Sequence, residues 1–275
     1  MEELTGRVAV ITGAASGLGR AMAVRMAAEG MRVVLADIEP DPLSAVEQEL
    51  TDGGTEVVTE VVDVSRSEDI DRLASTAFDR FGAVHVLCNN AGVVKRARSW
   101  DLTLDDWRWV LGVDLWSVIH AVRAFVPRML QQGEPGHLVN TASMSGLLPI
   151  PNLAAYSVAK SAVVALSESL QLDFEAEGAQ IGVSVLCPGF IATRITESER
   201  NRPDDLGRAA SVPPVARTTA GVASTMEADE VAGHVVDAIR ADRFWILTHD
   251  AYREVIRERA AGIGTDGRPA APPIW

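Results

Sequence analysis

Cysteine and basic charge are both scarce in this sequence. Its 275 residues include two cysteines, Cys88 and Cys187, and because each lies in an apolar strand-like run we expect two reduced, buried thiols. Lys and Arg number 25 against 38 Asp and Glu, which gives a net charge of −13. Without a basic excess to neutralise phosphates, we expect neither nucleic acid nor an anionic membrane as a partner. The sequence has no CxxC motif or Cys/His cluster, so we predict no metal site.

Targeting signals and long apolar runs are also missing. The first seven residues, MEELTGR, include acidic side chains and no apolar core, which argues against a secretory signal. No apolar stretch approaches the length needed to span a membrane, so we expect a soluble cytoplasmic protein. Hydrophobic residues make up 47% of the chain, enough for the core of one large α/β domain or two small ones.

Apolar strand-like runs alternate with helix-like runs along the whole chain. Valine-rich strands separated by helices predict a parallel sheet covered by helices on both faces. The predicted strands are Arg7–Thr12, Arg32–Asp37, Glu56–Val62, Val84–Asn89, His137–Ala142, Ile181–Cys187 and Arg243–Thr248. The predicted helices are Leu18–Glu29, Pro42–Leu50, Ser67–Phe81, Leu104–Leu130, Leu153–Glu177 and Ala228–Ala241.

No sharp change in composition divides the chain, so we predict one domain over residues 1–250. Its least regular part is 189–225, with Pro203, Pro213 and Pro214, and a long segment of this kind is often a lid over a site. Residues 251–275 are predicted to form a charged helix and a Gly/Pro-rich tail. The tail ends in Ile274-Trp275, and it is either a disordered terminus or an arm that docks on a neighbouring subunit.

The stretch Val8–Gly19, VAVITGAASGLG, combines a buried strand, a glycine turn and the start of a helix. This arrangement brings a pyrophosphate against backbone N–H groups at a helix N-terminus. Gly13, Gly17 and Gly19 suit such a turn because a Cβ would block the approach and because glycine tolerates positive φ. The alternative is an ordinary strand-to-helix turn. The acidic Asp37 that ends the next strand favours dinucleotide binding.

Asp37 also bears on which dinucleotide is bound. In an open parallel sheet the ligand crosses the carboxyl ends of the strands. A carboxylate at this strand end accepts hydrogen bonds from both ribose hydroxyls and repels a 2′-phosphate. Ser16 and Ile38 offer no cation for such a phosphate, and Arg20 is expected to point along its helix. We therefore predict NAD in preference to NADP, against the alternative that Asp37 is a solvated turn residue.

The next two strand ends carry further polar or small residues. Asp63, followed by Val64, is placed either to accept from an adenine amino group or to cap the following helix. Asn89-Asn90-Ala91-Gly92 suits close passage of a cofactor, with Asn89 free to tie strands together. Taken alone, the same four residues indicate a turn.

A serine, a tyrosine and a lysine form the candidate catalytic group. Ser143 follows the fifth strand, and Tyr156 and Lys160 are four residues apart near the start of a long helix, so they share a helix face. An ammonium beside a phenol lowers the phenol pKa from its usual value of about 10. A phenolate is a general base for an alcohol that loses hydride from its carbon. The alternative is a surface helix on which this spacing has no role.

Together these motifs resemble those of the short-chain dehydrogenase/reductase family. The match covers Leu4 to about Thr248 and consists of Thr12-Gly13-x-x-x-Gly17-x-Gly19, Asp63, Asn89-Asn90-Ala91-Gly92, Ser143, Tyr156-x-x-x-Lys160, and Pro188-Gly189 followed by Thr193. The resemblance implies a Rossmann-type, doubly wound sheet of seven parallel strands. It implies NAD(P)-dependent interconversion of an alcohol and a ketone, and a homotetramer built on the two long helices, with a dimer as the alternative.

The resemblance also implies roles for individual residues. Tyr156 would be the acid/base, Lys160 would bind the nicotinamide ribose and lower the tyrosine pKa, and Ser143 would orient the substrate. The backbone at 185–189 and the Thr193 hydroxyl would hold the nicotinamide carboxamide. The predicted cofactor contacts are Gly13, Ser16, Gly17, Leu18, Gly19, Asp37, Asp63, Val64, Asn90, Ala91, Gly92, Tyr156, Lys160, Pro188, Gly189, Ile191 and Thr193.

One position departs from the family pattern. The family often has asparagine as a fourth catalytic residue in a Val-Asn-Leu context, where its main-chain carbonyl holds a water of the proton relay. Here the run is Val113-Asp114-Leu115. Aspartate keeps the carbonyl but lacks the amide donors and can carry charge. We predict that Asp114 sustains the relay with an altered pH dependence.

The substrate is the least determined part of the prediction. Apolar residues dominate 93–100, 144–152 and the lid, and they favour a bulky apolar or aromatic secondary alcohol over a sugar or a phosphorylated compound. Plain core packing is the alternative for each of them. Two other functions stay open: an NADP-linked ketone reductase, and a catalytically silent NAD-binding regulator. The candidate substrate contacts are Val94, Ser145, Leu147 and Phe190.

Overall fold

A computed structural model of the chain describes residues 1–207, 210, 224–265 and 267–269. Seven parallel strands form one sheet in the order β3-β2-β1-β4-β5-β6-β7, which confirms the predicted fold. The strands are β1 Val8–Thr12, β2 Arg32–Asp37, β3 Val57–Val61, β4 Val86–Asn89, β5 Gly136–Thr141, β6 Ile181–Cys187 and β7 Trp245–Leu247. The helices are α1 Gly17–Ala28, α2 Pro40–Asp52, α3 Ser67–Phe81, α4 Leu104–Leu111, α5 Ser117–Gln132, α6 Met144–Leu147, α7 Ala154–Glu177, α8 Ala228–Ala241 and α9 Tyr252–Gly264.

The strand order reverses next to β1. β1 pairs with β2 on one side, where Val10 faces Val34, and with β4 on the other, where Val10 faces Leu87. The chain thus winds outward in both directions from β1, and a crevice opens at the carboxyl ends of β1 and β4. Ligands bind at this switch point in open α/β sheets.

The central strands are buried on both faces because successive side chains point to opposite sides of the sheet. Ala9 and Ile11 pack with Met22 of α1 in a core that extends to α8. Val8 and Val10 pack on the other face, in a core that includes Phe125 of α5. This two-sided burial explains why the strands are continuous apolar runs rather than alternating ones.

The predicted long helix 104–130 is divided by a π-helical segment, Gly112–Trp116, between α4 and α5. Single π-turns inside α-helices are rare and occur often at functional sites. This one contains Asp114. A second difference is the short helix α6, which follows Ser143 and precedes α7. The other predicted ends of helices and strands lie within two residues of the observed ones.

The expectation that no apolar stretch approaches membrane-spanning length was wrong, because one helical stretch meets both the length and the hydropathy that a membrane span needs. The continuous helical stretch Leu104–Gln132 is long and apolar enough to cross a membrane, and 44% of its most apolar window is buried inside the fold. Its apolar side chains include Val118 and Phe125, which belong to the cores. Packing on α3 and α7 therefore accounts for its composition.

The predicted lid and tail are described in part. Ile191 forms a parallel bridge with Met226, and Ile195–Asn201 is a 3₁₀ helix. Residues 208–209 and 211–223 of the predicted lid, and residues 266 and 270–275 of the predicted tail, lie outside the described residues. α9 is anchored by Tyr252, which is completely buried.

Candidate active site

A cleft runs along the carboxyl ends of the strands from β3 and β2 across β1 and β4 to β5. Its empty volume is about 1180 Å³, including space open to solvent. Most of the predicted cofactor residues line it. They are Gly13, Ser16, Gly17, Leu18, Asp37, Asp63, Val64, Asn90, Ala91, Gly92, Tyr156, Lys160, Pro188 and Thr193.

The glycine turn leaves bare backbone against the cleft. Gly13 and Gly17 have φ of +68° and +54°, values that L side chains rarely adopt. A Cβ on Gly13 would lie 2.9 Å from the Cα of Ala91, and one on Gly19 would lie 1.9 Å from the Gly13 carbonyl oxygen. The turn therefore packs directly on the end of β4 and opens at the N-terminus of α1. This cradle fits a dinucleotide pyrophosphate.

Asp37 lies beside this turn at the end of β2. One carboxylate oxygen accepts the N–H of Ala15 at 2.9 Å, and the other accepts the N–H of Glu39 at 3.0 Å. Burial raises the pKa of Asp37, although these backbone hydrogen bonds act in the opposite direction. The carboxylate is fixed in place and faces the cleft, as binding to a ribose would require.

Two further polar groups shape the middle of the cleft. The Thr12 hydroxyl accepts the backbone N–H groups of Asn90 and Ala91 at 2.9 and 3.1 Å, which holds the end of β4 against β1. The carboxylate of Asp63 accepts both the N–H and the hydroxyl of Ser65, at 3.0 and 2.6 Å. Asp63 therefore organises its own loop as well as lining the cleft.

Tyr156 and Lys160 lie one helical turn apart at the start of α7, and both side chains are buried. The Lys160 Nζ is 5.7 Å from the centroid of the Tyr156 ring and donates to the Thr141 carbonyl at 2.9 Å. Ser143 lies opposite at the end of β5, where its hydroxyl oxygen accepts the N–H of Ser145 at 3.1 Å. The structure thus brings the three predicted catalytic side chains to one end of the cleft.

The side chains alone do not favour a phenolate at Tyr156. Burial raises the pKa of Tyr156 far above its ordinary value of 10.0, and the charge of Asp114 acts in the same direction. Hydrogen bonding with Ser143 and the positive charge of Arg96 lower the pKa by smaller amounts. The pKa of Tyr156 is therefore raised in the protein by itself, and the expected lowering by Lys160 does not set its direction. A further positive charge at this end of the cleft, such as an oxidised nicotinamide, would favour the phenolate.

Asp114 lies behind the cleft, completely buried in the π-helical segment. Its Oδ1 accepts the N–H of Val93 at 2.8 Å and is 4.0 Å from the Lys160 Nζ. Its Oδ2 has no hydrogen-bond partner within the described part of the chain. Burial raises the pKa of Asp114 to about 6, against the lowering effect of the Lys160 charge. The predicted relay role of its carbonyl stays a prediction, whereas its side chain orders the loop after β4.

Several predicted residues lie beside or behind the cleft wall. Gly189 packs so closely on Tyr252 that a Cβ would lie 2.6 Å from its ring. Ile191 packs on the core beneath α1, and Leu147 packs on the core that contains Tyr252. Ile191 and Leu147 therefore pack in the core, although from the sequence they could equally have lined a substrate pocket. In the described structure, the predicted residues that do not line the cleft are Gly19, Val94, Asp114, Ser143, Ser145, Leu147, Gly189, Phe190 and Ile191.

The cleft also includes residues that the sequence did not indicate. Trp109 lines the cleft, and the Arg202 guanidinium stacks on its ring at 4.9 Å. Glu39 also lines the cleft, and its position two residues after Asp37 could have been used to predict this from the sequence. No motif marked the residues of the described lid, because its charged residues are irregularly spaced. The lid residues at the cleft are Arg194, Ile195, Ser198, Arg200, Asn201 and Pro203.

The described lid is anchored to the loop after β4 and to α4. The Ser198 hydroxyl accepts the Val94 N–H at 2.9 Å, and the buried Lys95 ammonium pairs with Glu199. Arg202 and Asp106 form an ion pair at 2.6 Å in which both side chains are fully buried. These contacts fix the lid beside the catalytic end of the cleft.

Comparison with known proteins identifies the same family across the sheet. A model of the short chain dehydrogenase family matches residues 7–204. The chain is 38% identical to 1-deoxy-11-beta-hydroxypentalenate dehydrogenase of Streptomyces avermitilis, over 91% of this chain and 92% of that protein. It is 32% identical to the CLA biosynthesis dehydrogenase/reductase of Lactiplantibacillus plantarum, over 98% of this chain and 97% of that one.

A similar solved structure is a short chain dehydrogenase/reductase from Burkholderia phymatum in complex with NAD. Its TM-score is 0.92 at 40% identity, and the alignment covers 99% of both chains. The likeness extends over the described cleft, the lid and α9, beyond the residues that the family model matches.

Proposed function

Because the chain belongs to the short-chain dehydrogenase/reductase family, whose members are oxidoreductases of hydroxyl and keto groups, we propose that it is an NAD-dependent enzyme that interconverts a secondary alcohol and a ketone. The observation that carries the proposal is one cleft with two chemically different ends. Asp37 lies at one end, Tyr156 and Lys160 line the other, and Ser143 lies behind the cleft wall there, hydrogen-bonded to Tyr156. The glycine turn lies between them.

The two ends have separate tasks. The bound nicotinamide supplies the site that accepts or donates hydride. Tyr156 takes the hydroxyl proton of the alcohol during oxidation and returns it during reduction. Ser143 holds the substrate oxygen, and Lys160 keeps a positive charge beside the phenol while its ammonium is tied to the Thr141 carbonyl.

We propose a bulky apolar or aromatic substrate. Val93, Trp109 and Val113 line the catalytic end of the cleft, and an apolar wall of this kind suits an apolar ligand. The relative from Streptomyces avermitilis is named for a hydroxypentalenate, which supports a hydroxyl-bearing small molecule as substrate.

We also propose a cytoplasmic homotetramer formed by one domain over residues 1–250, with 251–275 as a C-terminal extension. Trp116, Val158 and Leu172 are 50%, 49% and 64% exposed, and they lie on the long-helix region that would form the subunit contacts. Light scattering of the purified protein measures the mass. A monomeric mass would contradict the proposed tetramer but would not bear on the proposed reaction.

The first experiment is titration with NADH and NADPH, followed by turnover of a panel of aryl and alicyclic secondary alcohols. We expect tighter binding of NADH and turnover with NAD⁺. Equal or tighter binding of NADPH would favour the NADP-linked reductase instead.

Tyr156→Phe separates an enzyme from a silent NAD-binding regulator. The variant should lose turnover and bind NADH as the wild type does, because only the phenol oxygen is removed. Turnover that survives the change would show that Tyr156 is not the base. Wild-type NADH binding with no turnover of any alcohol or ketone would favour the regulator.

A further inference from the structure

An ion pair crosses the cleft at its adenosine end. The guanidinium of Arg200, on the lid, donates to both carboxylate oxygens of Glu39, from Nε at 3.1 Å and from Nη2 at 2.7 Å. The third nitrogen, Nη1, donates to the Arg194 carbonyl at 3.4 Å. The two side chains are only 25% and 19% exposed. A two-pronged pair of this kind is oriented as well as attractive.

The pair lies next to the carboxylate that is expected to read the ribose. Glu39 donates its backbone N–H to Asp37, and all three charged residues line the same cleft. The negative charge of Asp37 contributes, after that of Glu39, to raising the pKa of Arg200. Arg200 is therefore a cation within electrostatic reach of the ribose position, and Glu39 already neutralises it.

Two other arginines near the cleft also pair with carboxylates. Within the described residues, Arg194 pairs with Glu197 at 3.0 Å, and Arg20 pairs with Glu49 at 2.7 Å. A 2′-phosphate would need a free guanidinium or ammonium at this end, because Asp37 repels it. Arg194 and Arg20 are thus already paired with carboxylates, as Arg200 is.

We propose that the Glu39–Arg200 pair is a second determinant of cofactor choice, which withholds Arg200 from a 2′-phosphate and so disfavours NADP. The inference rests on the proposed function and extends it from Asp37 to the lid. Asp37 acts by repulsion at the ribose, and Glu39 acts by occupying a lid cation that faces it across the cleft. The pair also joins the lid to the adenosine end of the cleft.

The test is the ratio of the dissociation constants of NADPH and NADH, measured by nicotinamide fluorescence for Glu39→Gln. This change removes one negative charge and leaves Arg200 free to pair with a 2′-phosphate. We expect the ratio to fall by about tenfold or more, the effect of one hydrogen bond between charged groups. In Glu39→Gln/Arg200→Gln the gain should disappear. The matched control is Glu134→Gln, which removes the same charge from an ion pair with Arg7 beside the amino ends of β5 and β1, at the opposite edge of the sheet from the cleft, and should leave the ratio unchanged.

Three results would overturn the inference. An unchanged ratio in Glu39→Gln, or an equal weakening of both cofactors, would mean that the pair only fastens the lid. A gain that survives the double substitution would mean that Arg200 is not the phosphate ligand. A wild-type protein that binds neither dinucleotide would overturn the proposed function itself, and that outcome is distinct because it is visible before any variant is made.

Discussion

The replacement Asp114→Asn tests whether a charge is buried behind the catalytic residues. Burial raises the pKa of Asp114 to about 6, compared with about 4 in an unfolded chain. As pH rises, the unfolded state loses this proton first, so the native state loses stability between pH 4 and pH 6. The ionised side chain then costs about 3 kcal/mol at pH 8, of which about 2 kcal/mol arises between pH 4.5 and pH 8.

We therefore expect Asp114→Asn to gain about 2 kcal/mol relative to the wild type when pH rises from 4.5 to 8. The new amide places N–H groups where Oδ2 has no partner in the described structure, but that cost is independent of pH and cancels in the comparison. Equilibrium unfolding in urea, followed by tryptophan fluorescence, measures the difference at each pH. A difference that stays constant would show that Asp114 is protonated, or well solvated, throughout this range.

Asp106 provides a control of opposite sign on the same helical stretch. It is also fully buried. Burial alone would raise its pKa, but hydrogen bonds from Thr103 and the charge of Arg202 outweigh burial and lower the pKa. Its stabilisation is therefore present above the unfolded pKa and lost as pH falls. We expect Asp106→Asn to lose stability relative to the wild type as pH rises to about 4.5, and to change little from there to pH 8, the range in which Asp114→Asn gains.

Two further variants probe the turn and the base. Gly13→Ala should lose NADH binding. It should also lose more stability than the control Gly54→Ala. Both positions have positive φ, which costs about 1–2 kcal/mol for alanine, but only the Gly13 Cβ meets backbone while Gly54 faces open space. Urea unfolding and NADH titration measure both effects, and equal losses would contradict the close packing. Arg96→Gln should move the alkaline rise of the oxidation rate to higher pH, since the charge of Arg96 lowers the pKa of Tyr156; an unchanged pH–rate profile would show that Arg96 does not act on the base.

The sheet could be predicted from the sequence because its central strands are buried on both faces. Ile181–Cys187 and Arg32–Asp37 were predicted with the observed ends, since a continuous apolar run bounded by turn residues has few other solutions. The family motifs then located the cleft, because the carboxyl ends of these strands must meet at one edge. Order along the chain fixed the place of Tyr156 and Lys160 to within one helical turn.

The division of the long helix could not be predicted in the same way. Leu104–Leu130 has uninterrupted helical periodicity, and a π-turn adds one residue without a change of composition. What selects it here is tertiary: Asp114 reaches the N–H of Val93 in a loop distant in sequence. Local helix propensity cannot predict such a contact, because it depends only on residues that are near in sequence.

The ion pairs of the predicted lid are a second feature that could not be predicted from the sequence. Arg200, Glu39, Arg202 and Asp106 are ordinary surface residues by type, yet each is paired across at least 96 positions of the chain. A pair of this kind is visible only when both partners are in place. The sequence therefore predicted a lid over this segment, but not the contacts that hold its described part.

At Asp114 both the backbone and the charge differ from what the sequence alone could predict. The family resemblance predicts a main-chain role for position 114, and aspartate satisfies that role as well as asparagine does. The structure adds that the side chain is buried 4.0 Å from Lys160, so the substitution changes the charge beside the base. Because Asp114 raises the pKa of Tyr156 when ionised, the two acids titrate as a coupled pair. Kinetic pKa values of this enzyme should therefore be assigned to the pair, and Asp114→Asn is the variant that leaves Tyr156 alone.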